Sequence, residues 1–127
     1  MILHVLRDFG IDGEKDPHNR GVWAKGSKIA SIGVTIKRWV SFHGFALNYE
    51  TDLKYFDLID PCGLVGEKMT SIAKILGREI SHAEVAGKIK FHFREVFKKE
   101  WEVTNLESLI ADKKWQFEMR HLIPSTR

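Results

Sequence analysis

Residues 21–49 constrain the fold most, because three strand-like runs follow one another with only tight turns between them. Gly21, Val22, Trp23 and Ala24 make the first run. Residues 28–39 make the second, in which Ile32, Val34, Ile36 and Arg38 share one face by alternation. Residues 40–49 make the third. Lys25, Gly26 and Ser27 suit a hairpin turn, as does the chain around Trp39 and Val40. Neighbouring runs joined so tightly can only pair antiparallel, since a parallel crossover needs a dozen or more residues. The pattern predicts an antiparallel meander.

Helical spacing flanks it. Ile2, Leu3, Val5, Leu6 and Phe9 recur at intervals of three and four, with Gly10 as a stop. This segment starts without a cap and reads like the end of a longer helix. Residues 12–20 are polar and turn-rich. A short helical turn is expected over 52–56, capped by Thr51 or Asp52. Residues 60–71 read as a loop around Pro61, Gly63 and Gly66. A strong helix is predicted over 81–99, with Ser81 and Glu84 in capping-box spacing and an apolar stripe of Val85, Ile89, Phe93, Val96 and Phe97. A last amphipathic helix is expected over 106–121. The fold class is therefore α+β, a mixed or antiparallel sheet with flanking helices. Residues 1–100 form the domain, and 101–127 form a helical extension covering a sheet edge or a partner surface.

Charge and composition exclude some functions. The 127 residues carry a net charge of +3, with basic residues spread along the chain rather than clustered. That is not the footprint of a nucleic-acid binder, whereas a weak positive field can steer acidic protein partners. One cysteine forms no internal disulfide, and no Cys/His cluster has metal-ligand spacing. No apolar stretch is long enough for a bilayer, and the first residues lack the pattern of a signal peptide. The expectation is a cytoplasmic protein with no metal and no cofactor. The four tryptophans and eight phenylalanines are read as core.

The residues with chemical potential are few. Cys62, the only cysteine, lies in the loop sequence Asp60, Pro61, Cys62, Gly63. Thiolate is the nucleophilic form, and it is a small fraction of a free cysteine at neutral pH. A cation about 4 Å away is worth up to about 4 kcal/mol at an effective dielectric near 20, enough to favour thiolate. Pro61 fixes a backbone dihedral beside it, and backbone amides around Gly63 could donate to a developing oxyanion. An inert buried thiol is the alternative. Lys28 opens the second run, where alternation puts it on the face of Ala30 and Ile32. A lysine on an apolar face is costly unless paired, which is one route to a catalytic lysine. The alternative is an edge lysine reaching solvent. His43 either orients a substrate or is satisfied within the sheet. Gly33 and Gly44 interrupt their strands, as glycines do at bulges or where a ligand nears the backbone.

Four segments together resemble the lipoyl (octanoyl) transferases. They are Gly21-Val22-Trp23, then 28–33 (Lys, Ile, Ala, Ser, Ile, Gly), then 41–48 (Ser, Phe, His, Gly, Phe, Ala, Leu, Asn), then 60–63 around Cys62. The match covers about residues 1–75 well and 80–100 loosely. The resemblance implies a partial biotin/lipoate protein ligase-like fold. It implies transfer of an octanoyl group from octanoyl–acyl carrier protein to a lysine of lipoyl domains, those of 2-oxoacid dehydrogenases and of the glycine cleavage H protein. Cys62 would carry the acyl thioester. Lys28 would lower the thiol pKa and shuttle protons. Ser31, Ile32, Gly33, Gly44, Phe45 and Ala46 would line the acyl site, with His43 among the substrate-binding residues. The lysine-to-cysteine arrangement separates the family from ligases of the same fold that use an adenylate. The family also has an N-terminal half, with arginine-glycine-glycine and histidine-glycine-proline-glycine segments. Neither is present here, which implies a companion polypeptide or a non-catalytic fragment.

Overall fold

A computed structural model of the chain describes residues 1–59 and 66–100. Helix α1 (Ile2–Asp8) is followed by strands β1 (Gly13–Glu14), β2 (Gly21–Ala24), β3 (Ser27–Lys37) and β4 (Val40–Leu47). A 3-10 turn (Leu53–Leu58) and helices α2 (Ile72–Leu76) and α3 (His82–Phe97) complete the described part. The strands form one antiparallel sheet in the order β1-β2-β3-β4. The α+β class and the meander follow the sequence pattern. β1, in the stretch read as turns, was not expected.

Both hairpins close with two residues at positive φ. Lys25 and Gly26 turn between β2 and β3, at φ 50° and 72°. Arg38 and Trp39 turn between β3 and β4, at φ 51° and 65°. Two left-handed residues match the right-handed twist of the paired strands. Arg38 and Trp39 thus leave the strand in which alternation had put them, and Trp39 is 99% exposed. The third run ends at Leu47 rather than residue 49 because its last carbonyls serve a helix. The carbonyl oxygens of Asn48 and Tyr49 accept from the amides of Ile72 and Ala73 at 3.0 and 2.8 Å. They satisfy the orphan amides at the start of α2. Ser71 adds a side-chain cap to the amide of Lys74, and Gly77 ends α2 at φ 65°. This helix is too short to show a periodic pattern, so the sequence reading missed it.

The core lies between α1, the inner half of the sheet, α2 and the start of α3. Val5, Leu6, Ile29, Ile72 and Ile80 are wholly buried there, with Val22, Ala24, Ala30 and Val85 around them. Each such large aliphatic side chain contributes about 1.5–3 kcal/mol through burial. α3 is capped by Ser81, whose hydroxyl accepts from the Glu84 amide at 3.2 Å. Its buried face is Val85 and His92, with Ile89 packed against the core. The outer part of the expected stripe is not buried, since Val96 and Phe97 are 42% and 51% exposed. The 3-10 turn is capped by Asp52, whose carboxylate accepts from Lys54. No helix among the described residues is long and apolar enough to cross a membrane. The extension at 101–127 lies outside the described residues, as does the loop at 60–65.

Candidate functional site

A bulge in β3 decides which side of the sheet Lys28 occupies. Val22 pairs with Ala30, but Trp23 pairs with Lys28, so Ile29 is the extra residue. Directly paired residues share a face, and so do residues two apart on a regular strand. Gly21 pairs with Ser31 and shares its face with Trp23, hence with Lys28. Ala30 and Ile32 face the other way. The expectation that Lys28 shares a face with Ala30 and Ile32 is therefore overturned, because simple alternation does not survive an inserted residue.

Lys28 is 1% exposed, so it is no edge lysine reaching for water. Its Nζ lies over the ring of Trp23, 5.0 Å from the centroid. Trp23 is itself buried, and its Nε1–H donates to Oε1 of Glu67 at 2.7 Å. Gly21 makes the room. A Cβ there would stand 2.9 Å from Cε of Lys28 and 2.5 Å from the backbone oxygen of Ala30. The lysine backbone is tied as well. Its amide donates to the Lys68 carbonyl at 2.7 Å, and its carbonyl accepts from the Thr70 amide at 2.9 Å, forming a parallel bridge with Met69. Part of the predicted 60–71 loop is thus strand-like, and it leads directly out of residues 60–65. Cys62 lies outside the described residues.

The seven expected substrate residues divide between the two faces. Ser31 pairs with Ala46 and Gly33 with Gly44, on the side of Lys28. Those four positions carry little or no side chain, and nothing lies within 4 Å of a Cβ built at either glycine. Ile32 pairs with Phe45 on the opposite side. There, with Val34, His43 and Gly44, they line an apolar groove of about 1070 Å³ whose far wall includes Met1, Leu3, Phe93 and Phe97. His43 is exposed and takes φ 67° within β4, with its ring 4.7 Å from that of Phe42. Asp16, also on the groove, accepts from the amides of His18 and Asn19, which hold its carboxyl below the usual range.

Between α1 and α3, Nε2 of His92 meets Oδ2 of Asp8 at 2.9 Å, and Nζ of Lys88 lies 3.7 Å from the same oxygen. The hydrogen bond to His92 is the main reason the Asp8 carboxyl sits below its ordinary value, with Lys88 assisting and desolvation opposing. Among the described residues, no three His, Cys, Asp or Glu side chains converge as metal ligands.

Sequence reasoning missed Trp23, Glu67 and Gly21 as parts of the Lys28 environment. The expectation that the tryptophans and phenylalanines are core holds for Trp23 and Phe9, which are buried, and is overturned for Trp39, Phe42, Phe45, Phe91 and Phe97, which are exposed. Nothing in the sequence signals the contact from Glu67, which is 44 positions away.

Comparison with known proteins gives this arrangement a context. A family model described as the lipoyl protein ligase A/B catalytic domain matches residues 1–94. A protein named octanoyltransferase from Syntrophobacter fumaroxidans is 49% identical over 115 residues, covering 88% of this chain and 50% of that protein. Proteins of the same name from Syntrophotalea carbinolica and Rubrobacter xylanophilus are 41% and 45% identical, covering 77% and 76% of this chain and 46% and 44% of their own lengths. The chain spans about half the length of these curated relatives. By the match over 1–94, the chain belongs to the lipoyl protein ligase A/B catalytic domain family.

Proposed function

We propose that this chain supplies the lysine and the thiol of an octanoyltransferase. The acyl donor is octanoyl–acyl carrier protein, and the acceptor is a lysine of a lipoyl domain, as in 2-oxoacid dehydrogenases and the glycine cleavage H protein. The observation that carries the reading is the burial of Lys28 beside Trp23 and Gly21, its backbone bonded to Lys68 and Thr70. Burying an ammonium costs free energy, and its retention here supports a chemical use for it. The names of the relatives point the same way.

The chemistry runs in two steps. The Cys62 thiolate attacks the carbonyl carbon of the donor thioester, a new carbon–sulfur bond forms, and the donor's carbon–sulfur bond breaks. The Lys28 ammonium gives its proton to the departing thiolate and becomes a neutral amine. The acceptor amine then attacks the Cys62 thioester. An amide bond forms, Cys62 leaves as thiolate, and Lys28 takes the proton released by the amine. No cofactor enters this balance. Ser31, Gly33, Gly44 and Ala46 leave room beside Lys28 for the acyl chain. Ile32, His43 and Phe45 act from the other face, bordering the groove. The free thiol suits a reducing compartment such as the cytoplasm.

A second reading is favoured by the length comparison. The chain spans about half of its relatives, and beyond the core the core-facing side of β3 and β4 leaves Ile32, Val34 and Phe45 between 37% and 47% exposed. On this reading the chain is one part of a split enzyme, inactive until an N-terminal polypeptide joins it. Transfer of octanoyl to a lipoyl domain, assayed with this chain alone and with the N-terminal half of the Syntrophobacter relative added, tests both. Activity alone supports the first reading, and activity only on mixing supports the second. Inactivity in both mixtures contradicts both.

A further inference from the structure

Trp23 has a polar connection that core packing does not explain. It is absent from the apolar cluster formed by Val22, Ala24, Ile29 and Ala30, because it points to the opposite side of the sheet. There its ring lies under the Lys28 ammonium, and its Nε1–H is held by Glu67. Glu67 adjoins Lys68, whose carbonyl accepts from the Lys28 amide. One short segment therefore holds both the lysine's backbone and the ring beneath its ammonium. Gly21 is part of the same arrangement, since any side chain there would strike Cε of Lys28.

We propose that Trp23 is a positioning residue, a platform anchored by Glu67 that fixes where the Lys28 ammonium points. This rests on the reading of Lys28 given above. A lysine side chain has several rotatable bonds and loses considerable rotamer freedom when held in one place. The negative face of an indole attracts an ammonium and narrows its range without accepting its proton. A carboxylate in the same place would compete for the proton that the proposed mechanism moves.

The test reads the rate of Cys62 alkylation by iodoacetamide against pH, measured by mass spectrometry. It needs only the folded chain and no acyl donor. Four variants are compared: Lys28→Ala, Trp23→Leu, Trp23→Phe and Glu67→Ala. Lys28→Ala is expected to raise the midpoint. Trp23→Leu is expected to raise it in the same direction by about half a pH unit, roughly a threefold lower rate below the midpoint. Trp23→Phe keeps an aromatic face and is expected to fall between Trp23→Leu and the parent protein. Loss of packing alone would lower the urea midpoint of these variants and leave the alkylation midpoint unmoved.

If Lys28→Ala shifts the profile and Trp23→Leu does not, the platform is wrong and the role of Lys28 stands. If Lys28→Ala shifts nothing, the reading of Lys28 fails and the platform fails with it. Should Trp23→Leu not fold, Glu67→Ala decides: an upward shift supports the proposal, and an unchanged profile overturns it.

Discussion

Lys28 and Met69 form a lone parallel bridge, and through it the buried lysine is bonded to the strand-like segment that leaves residues 60–65. Cys62 belongs to the stretch immediately before this anchor. The ammonium therefore has a fixed base close in sequence to the thiol it is proposed to serve.

Replacing Lys28 tests that service. Lys28→Ala is expected to raise the pH at which Cys62 becomes reactive. Lys28→Arg is expected to restore the low midpoint but not octanoyl transfer, because a guanidinium does not give up its proton. Equal transfer by the arginine variant would remove proton shuttling from the mechanism.

Gly21→Ala is expected to destabilise the domain by about 1–3 kcal/mol, the usual cost of forcing atoms into a filled site. The new methyl meets the Ala30 backbone oxygen, which has no rotamer by which to retreat. Urea unfolding monitored by tryptophan fluorescence measures the loss. An unchanged midpoint would show that β2 and β3 separate there without cost.

Asp8 makes stability depend on acid. Its carboxyl is held below the ordinary 3.8, chiefly by the hydrogen bond from His92. Between the folded and unfolded values the unfolded chain binds more protons. The stabilisation is thus full above about pH 3.8 and lost as pH falls through the folded value. Thermal melts of the parent protein should weaken over that window, and those of Asp8→Asn should show a flatter acid limb. Identical acid limbs would mean that the contact between α1 and α3 does not contribute.

The outer hairpin bears on the split-enzyme reading. Ile36 and Trp39 are 69% and 99% exposed, beside the apolar groove face. Exposed apolar patches and open strand edges favour self-association. Sedimentation velocity is expected to show the chain associating, less so in a variant carrying Ile36→Thr and Trp39→Asn, the asparagine tolerating the left-handed turn position. Adding the N-terminal half of a relative should raise the melting temperature, because a partner that binds only the folded state stabilises it. A monodisperse monomer whose melt ignores the added half would contradict this.

Much of the framework is legible in the sequence. Alternation, the turn signals at Lys25-Gly26-Ser27 and around Trp39-Val40, and the spacing of Ser81 and Glu84 lead to β2, β3, β4 and α3 with boundaries shifted by a few residues, the second turn falling one position earlier, at Arg38-Trp39. Local signals suffice because turn conformation and capping act over four residues or fewer. The facing of Lys28 was not legible. It depends on a bulge at Ile29, and one inserted residue reverses every face before it. The Glu67 contact with Trp23 and the capping of α2 by Asn48 and Tyr49 are tertiary, with no local pattern to announce them. α3 shows a related limit. Its spacing predicts an apolar stripe, yet only the part over α1 and the core is covered, and His92 takes a buried place through Asp8.

The most direct measurement is the intact mass of the chain after incubation with octanoyl–acyl carrier protein, with and without the N-terminal half of the Syntrophobacter relative. The expected result is one octanoyl adduct, located on Cys62 by peptide mapping, released by hydroxylamine and missing from Cys62→Ala. An adduct that survives in Cys62→Ala, or no adduct in either mixture, would contradict acyl transfer through this thiol.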